Sequence, residues 1–216
     1  MNGHGCRPLV ITALRRSGTT ALLQTLAQRP DASAFDEPFH PRLWENAREN
    51  SKGTWTDLTA LWTKGPQELA PDARPIFPLD ELDPGVSPGQ VALLEALTRR
   101  EATVIIDVVR CWNKMGALAT ARPDFMALHL IRSPAPWVLS HLLPSGRGTW
   151  RKPIGDAWRR ATALRRRARY DNWQYETIFD AMLSEGHHAL AGLGVDARSA
   201  AHEKLLALWW GCNRTS

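Results

Sequence analysis

Residues 15–20 have the composition of a loop that binds an anion: Arg15, Arg16, Ser17, Gly18, Thr19 and Thr20. The apolar residues 8–14 before the loop predict a short buried β-strand, and the leucine spacing over residues 19–28 predicts a helix. A helix N-terminus offers backbone N–H groups to an anion, Gly18 permits a close backbone approach, and Arg16 adds a fixed positive charge. The pattern is not a standard nucleotide P-loop, because Thr19 stands where that motif has lysine.

A second basic loop lies within residues 129–140. Residues 125–131 predict a β-strand, and residues 135–143 predict a helix. Arg132 falls at the end of the strand, and Ser140 follows eight residues later on the helix. The segment therefore repeats the arrangement of strand, basic loop and helix.

Charged side chains also follow the two remaining predicted strands. Asp36 and Glu37 follow a strand predicted near residues 32–35, and Arg110 follows residues 103–109, the strongest strand pattern in the chain. Ligands of open parallel sheets bind beyond the carboxyl ends of the strands. We therefore expect these groups and both basic loops to converge on one edge of a sheet.

The order of the predicted elements indicates an α/β fold with a parallel sheet, because strands alternate with helical stretches. Further helices are predicted over residues 91–100, 156–170, 172–185 and 200–213. We predict a single domain over residues 1–216. Within it, the proline- and tryptophan-rich residues 45–90 are an insertion or lid, and residues 150–216 form a helical C-terminal part.

The two basic loops together resemble those of sulfotransferases that use 3′-phosphoadenosine 5′-phosphosulfate (PAPS). The resemblance covers residues 7–145 and implies a P-loop-like parallel sheet flanked by helices. It assigns residues 15–20 to the 5′-phosphosulfate, and Arg132 and Ser140 to the 3′-phosphate. Ser133 and Ala135 depart from the family pattern, which often has Asp and Arg there.

The segment Phe35-Asp36-Glu37-Pro38-Phe39 resembles the part of this family that carries the general base. The resemblance makes Glu37 the first choice for the base, with His40 and Asp36 as alternatives. It implies in-line, metal-independent transfer of a sulfonate group to an acceptor oxygen or nitrogen. Charge developing on the sulfonate would be stabilised by Arg16, Thr19 and Thr20. Arg110 and Lys114 are weaker candidates for contacts with the substrate.

Composition excludes several classes of protein. A chain of 216 residues with 44% hydrophobic and 23% charged residues is typical of one globular domain. Its three widely spaced cysteines and the spacing of its histidines argue against a disulfide framework and a bound metal. Residues 1–7 lack a signal-peptide pattern, and no apolar run reaches the roughly 20 residues that a bilayer requires. Together with a composition rich in alanine and arginine and poor in lysine, these features lead us to expect a bacterial cytoplasmic enzyme with no metal and no membrane partner.

The net charge of +5 favours an anionic ligand or partner. Residues 159–169 are rich in arginine and form either a solvated helix face or a binding surface. The alternative function is therefore non-enzymatic: an anion- or nucleic-acid-binding protein, or a degenerate sulfotransferase relative. A small kinase with an altered P-loop is disfavoured by the absent lysine. For the enzyme, a small-molecule or glycan acceptor is expected.

Overall fold

The computed structural model describes residues 7–44, 66–99, 103–142 and 174–215. The chain divides into two compact units, Met1–Leu130 and Ile131–Ser216. The helix predicted over residues 156–170, with its arginine cluster, lies outside the described residues, as does the first part of the predicted insertion.

The first unit is built on a four-stranded sheet with the order β2-β3-β1-β4. Its strands are β1 (Leu9–Thr12), β2 (Ala32–Asp36), β3 (Thr103–Asp107) and β4 (Met126–His129). All three pairings are parallel, with β1 between β3 and β4. The predicted α/β class with a parallel sheet is confirmed, and all four strands lie where the apolar pattern predicted them.

The described helices of this unit include α1 (Thr19–Leu26), α2 (Pro66–Leu69), α3 (Pro88–Thr98) and α4 (Met115–Ala121). Short 3-10 turns span Leu79–Glu81 and Val109–Cys111. Helix α3 begins with a capping box, in which Ser87 and Gln90 satisfy each other's backbone N–H groups. The sequence predicted α1 and α3 but not α2 and α4, which are too short to show a helical apolar period.

Side chains of β1, β2 and β3 alternate between two apolar layers. Ile11 and Ile105 pack with Leu23 of α1 on one face. On the other face, Val10 packs in a larger cluster with Leu94 of α3. The described part of the predicted insertion contributes to this second layer, because Ala70, Ala73 and Ile76 are members of the same cluster.

The connections after β1 and β3 leave the sheet on opposite faces. Helix α1, after β1, packs with Ile11, whereas Leu118 of α4, after β3, belongs to the cluster of Val10. Neighbouring parallel strands that diverge in this way leave a crevice between their carboxyl ends, where α/β proteins bind ligands. In this unit the loop over residues 13–18 and the turn Val109–Cys111 border that crevice.

The second unit contains α5 (Pro134–Leu142), α6 (Tyr175–Ser184) and α7 (Ala201–Thr215), and a 3-10 turn over His188–Leu190. Helix α7 packs against α5, α6 and that turn. The aromatic ring of Trp137 lies 4.2 Å from that of His141 and 5.4 Å from that of Tyr175, between ring centroids. Within the described ranges, no helix is sufficiently long and apolar to cross a membrane.

The close approach of α3 to the segment before it leads to a stability prediction. A Cβ atom on Gly89 would lie 2.3 Å from the backbone oxygen of Asp72, whereas a Cβ on Gly116 of α4 would meet nothing within 4 Å. We expect Gly89→Ala to lower the free energy of unfolding by about 1–3 kcal/mol, the usual cost of overpacking. Gly116→Ala is the control and should leave stability unchanged or raise it, because alanine favours a helix more than glycine does. Equal denaturation midpoints for the two variants would contradict this packing.

Candidate functional site

The loop between β1 and α1 contains two residues with a left-handed backbone. Arg16 and Gly18 have positive φ angles of 69° and 102°, in a region that favours glycine. Gly18 is the N-cap of α1 and has no side chain that could cap the first-turn N–H groups, which also lack partners within the helix. Arg16, Gly18 and Thr20 are exposed, and Ser17 is half-buried. The loop therefore presents backbone donors, a hydroxyl and a guanidinium group on its outer side.

Two side chains of the same loop turn inward. Arg15 is buried, and its Nη2 atom forms an ion pair with the carboxylate of Glu81. Thr19 is also buried, and its side chain lies close enough to Asp107 at the end of β3 to lower the pKa of that carboxyl. The predicted anion-binding set of residues 15–20 thus divides into an outward group and an inward pair, Arg15 and Thr19.

Glu37 lies at the carboxyl end of β2. Its backbone N–H donates to the carbonyl of Asp107 at 2.9 Å, which extends the pairing of β2 with β3 past the last strand residue. The Oε2 atom of Glu37 lies 3.3 Å from Nε of Arg110. Burial raises the pKa of this carboxyl, and the positive charges of Arg110 and Arg15 oppose the rise. Glu37 and Arg110, predicted from separate motifs, are therefore in direct contact.

His40 lies near Glu37 as a neutral imidazole. Burial and the nearby guanidinium groups lower its pKa to about 3. Its Nδ1 atom accepts a hydrogen bond from the backbone N–H of Arg42 at 3.1 Å, so the neutral ring carries its proton on Nε2. That Nε2 atom is 4.0 Å from Oε2 of Glu37. A ring with such a low pKa is a weak base, and the proton it carries faces the carboxylate.

Asp36 and Asp107 form a buried carboxyl pair. They are register partners on β2 and β3, and their side chains are 3% and 0% exposed. Burial, with the charge of Glu37, raises the pKa of Asp36 to about 7. Burial and the charge of Asp36 raise the pKa of Asp107 well above its usual value. Because two adjacent carboxylates cannot both ionise cheaply in such a site, the pair retains a proton near neutral pH.

Glu81 is a site residue that sequence reasoning missed. It lies in the turn Leu79–Glu81, is fully buried, and accepts hydrogen bonds from Nη1 of Arg110 at 3.0 Å and Nε1 of Trp112 at 3.3 Å. Asp80 and Asp83, close to it in the sequence, are exposed. Three acidic residues within a proline-rich stretch carry no signal that distinguishes the buried one from its neighbours.

The side chain of Lys114 contacts the proline-rich segment. Its Nζ atom donates to the carbonyl of Gly85 at 2.9 Å and also to that of Asp83. Burial lowers its pKa. The ammonium group therefore fastens the chain that follows Glu81, and its predicted contact with a substrate remains a prediction.

The other predicted phosphate contacts, Arg132 and Ser140, belong to the second unit. The backbone carbonyl of Arg132 accepts a hydrogen bond from Nε1 of Trp209 at 2.8 Å. The hydroxyl of Ser140 donates to the carbonyl of Trp137 one turn earlier on α5, at 2.6 Å. Both side chains are partly accessible.

Among the described residues, no group of three or more His, Cys, Asp or Glu side chains is placed to hold a metal ion. The thiol of Cys111, which follows Arg110, is fully buried, and burial raises its pKa to about 12. It is therefore protonated near neutral pH and unsuited to act as a nucleophile.

Comparison with known proteins identifies one family. A family model described as the sulfotransferase family matches residues 8–188, which is more than half of the chain. The matched region includes both basic loops and the segment of Glu37. No curated protein and no solved structure matches the chain significantly.

The carboxyl pair predicts how stability depends on pH. The raised pKa of Asp36 means that the folded state binds a proton more tightly than the unfolded chain. Its contribution to stability is therefore complete below about pH 3.8 and is lost as the pH rises to about 7. We expect the free energy of unfolding of Asp36→Asn to exceed that of the wild type by at least about 1 kcal/mol near pH 8. Each unit of pKa shift corresponds to about 1.4 kcal/mol.

Urea denaturation at a series of pH values measures this difference. Asp72→Asn, at an exposed position of the same unit, is the control and should retain the wild-type pH dependence. An Asp36→Asn protein with the wild-type dependence would show that the pair holds no shared proton.

Proposed function

The chain belongs to the sulfotransferase family, and on that premise we propose that it transfers a sulfonate group from PAPS to a hydroxyl or amine of a small-molecule or glycan acceptor. The observation that carries the proposal is the position of Glu37. This carboxylate contacts Arg110 at the edge of the sheet. The positive charge of Arg15, in the loop after β1, also lowers its pKa. The proposed base and the proposed anion-binding loop thus lie at the same edge of the sheet.

The loop between β1 and α1 fits the 5′-phosphosulfate group of such a donor. Gly18 has its positive φ in open space, because a Cβ there would meet no described atom within 4 Å. Backbone N–H groups at the start of α1 can donate to phosphate or sulfonate oxygens, and the exposed Arg16 and Thr20 add a charge and a hydroxyl. Thr19 is buried on the inner side of the loop, near Asp107.

Glu37 is the proposed general base. In the transfer step the acceptor oxygen forms a bond to sulfur, the bond between sulfur and the bridging phosphate oxygen breaks, and its electron pair leaves with 3′-phosphoadenosine 5′-phosphate (PAP). The carboxylate of Glu37 accepts the proton of the acceptor hydroxyl. Its raised pKa makes it a stronger base than an ordinary carboxylate, whereas the low pKa of His40 makes the imidazole a poor one.

By the family resemblance, the proposed 3′-phosphate contacts are two residues of the second unit. Arg132 and Ser140 are proposed to bind the 3′-phosphate, the group that distinguishes PAPS from ADP and ATP. In the structure the hydroxyl of Ser140 donates to the carbonyl of Trp137, so binding a phosphate requires that hydroxyl to turn outward. The nucleic-acid alternative depends on residues 159–169, which lie outside the described part of the chain.

A comparison of nucleotides tests whether PAPS is the sulfonate donor. We expect PAP at about 100 times its dissociation constant to raise stability by about 2.7 kcal/mol in a thermal-shift experiment. ADP, and ATP with magnesium, at the same concentration should give much smaller shifts. Arg132→Ala should abolish most of the PAP effect, and Arg198→Ala, at an exposed position of the same unit, should retain it. Equal stabilisation by ATP with magnesium would favour the kinase alternative.

Removal of the base tests the reaction. We expect Glu37→Gln to lower kcat/KM for sulfonate transfer by about a hundred- to ten-thousand-fold, because it removes the proton acceptor. Transfer of radioactive sulfonate from PAPS to simple phenols, amino sugars and oligosaccharides measures the rate. PAP affinity, measured by calorimetry, should not fall.

Glu68→Gln, at an exposed position on α2, is the control and should have wild-type activity. A Glu37→Gln enzyme that retains full activity would exclude Glu37 as the base.

A further inference from the structure

Three side chains contact the carboxylate of Glu81. Its Oε1 atom accepts from Nη1 of Arg110 at 3.0 Å and forms the ion pair with Arg15, while its Oε2 atom accepts from Nε1 of Trp112 at 3.3 Å. The side chain is 0% exposed. A buried carboxylate is tolerated only where charged and hydrogen-bonding partners surround it, and Glu81 has both. This degree of pairing fixes the geometry of the groups that contact it.

Arg110 is shared between two carboxylates. Its Nη1 atom contacts Glu81 and lies 3.4 Å from the carbonyl oxygen of Ile76, while its Nε atom faces Oε2 of Glu37 at 3.3 Å. Because a guanidinium group is planar and rigid, fixing Nη1 also fixes the direction of Nε. The position of Arg110 beside Glu37 therefore depends on Glu81.

We propose that Glu81 is a positioning residue for the general base. It orients Arg110 towards Glu37 and offsets part of the positive charge that Glu37 experiences. The inference rests on the proposed function, in which Glu37 accepts the proton of the acceptor. The charged chain of Arg15, Glu81, Arg110 and Glu37 contains two positive and two negative groups, so it is neutral when both carboxylates are ionised.

The sign of the effect follows from the groups around Glu37. Arg110 and Arg15 lower its pKa, burial raises it, and His40 faces it as a neutral ring. Asp36 and Asp107 lie close enough for Glu37 to raise their pKa values. If the negative charge of Glu81 were removed, one charge that offsets the two arginines would be lost, and the pKa of Glu37 would fall. A lower pKa makes a weaker base.

The variant Glu81→Gln tests this directly, because glutamine keeps the size and one oxygen acceptor but not the charge. We expect the titration midpoint of Glu37 to fall by about one pH unit, a typical effect of a nearby charge. Carboxyl-carbon NMR of protein labelled at glutamate measures the midpoint, and the signal is assigned by its loss in Glu37→Gln. Asp80→Asn removes the same charge from an exposed position in the same turn and should leave the midpoint unchanged. An unchanged or higher midpoint in Glu81→Gln overturns the proposal.

The wild-type protein supplies a second test that does not require the variant to fold. Held by two carboxylates, the guanidinium group of Arg110 should rotate slowly and show separate Nη signals in side-chain nitrogen NMR. Its Nε shift should follow the titration of Glu37. A freely rotating guanidinium group, insensitive to that titration, also overturns the proposal.

Kinetics separate this inference from the proposed function. In the active enzyme, the acidic limb of the kcat/KM profile should move to lower pH in Glu81→Gln, with a lower plateau. If no variant and no wild-type sample transfers sulfonate or binds PAP, the proposed function fails, but the two NMR measurements still decide whether Glu81 positions Arg110 and tunes Glu37. If transfer occurs and the limb does not move, the role of Glu81 fails and the proposed function stands.

Discussion

The pairing of two buried arginines with one buried glutamate is the constraint on which the rest of the site depends. Arg15 comes from the loop after β1, and Arg110 comes from the turn after β3. Both are almost fully buried at the carboxyl edge of the sheet. Without the carboxylate of Glu81 both guanidinium groups would lose a buried ion-pair partner, and removing one partner of a buried ion pair costs several kcal/mol. The proline-rich segment that carries Glu81 is therefore part of the site's architecture.

This requirement explains how the proline-rich segment is fixed. The backbone N–H of Ile76 donates to the carbonyl of Phe39 at 2.9 Å, close to Glu37 in the chain. After Glu81, the carbonyls of Asp83 and Gly85 accept from Lys114. The segment is thus tied on both sides of Glu81 to residues that follow β2 and β3. The segment has few hydrogen bonds of regular secondary structure, and side-chain contacts to the sheet edge help to hold it in place.

The acidic groups at this edge differ in their roles because their surroundings differ. Asp36 and Asp107 are register partners on neighbouring strands, and burial raises the pKa values of both, which limits the negative charge beside the loop between β1 and α1. Glu37, the next residue after Asp36, faces a guanidinium group. Glu37 lies just past the end of β2 and has a positive φ of 43°, so the chain turns after Asp36 and places these two neighbouring carboxyl groups in different environments.

Much of this arrangement could be predicted from the sequence. The apolar runs identified all four strands, and their alternation with helices determined a parallel sheet, since the period of buried residues is a local property. The Gly18 turn and the position of Glu37 after β2 were also readable, because both depend on residues close together in the chain. Only the tertiary structure decided which side chains of the loop turn inward, that Asp36 meets Asp107, and that Glu81 compensates Arg15 and Arg110. These contacts join residues far apart in sequence, and their pKa shifts come from burial, which no local pattern encodes.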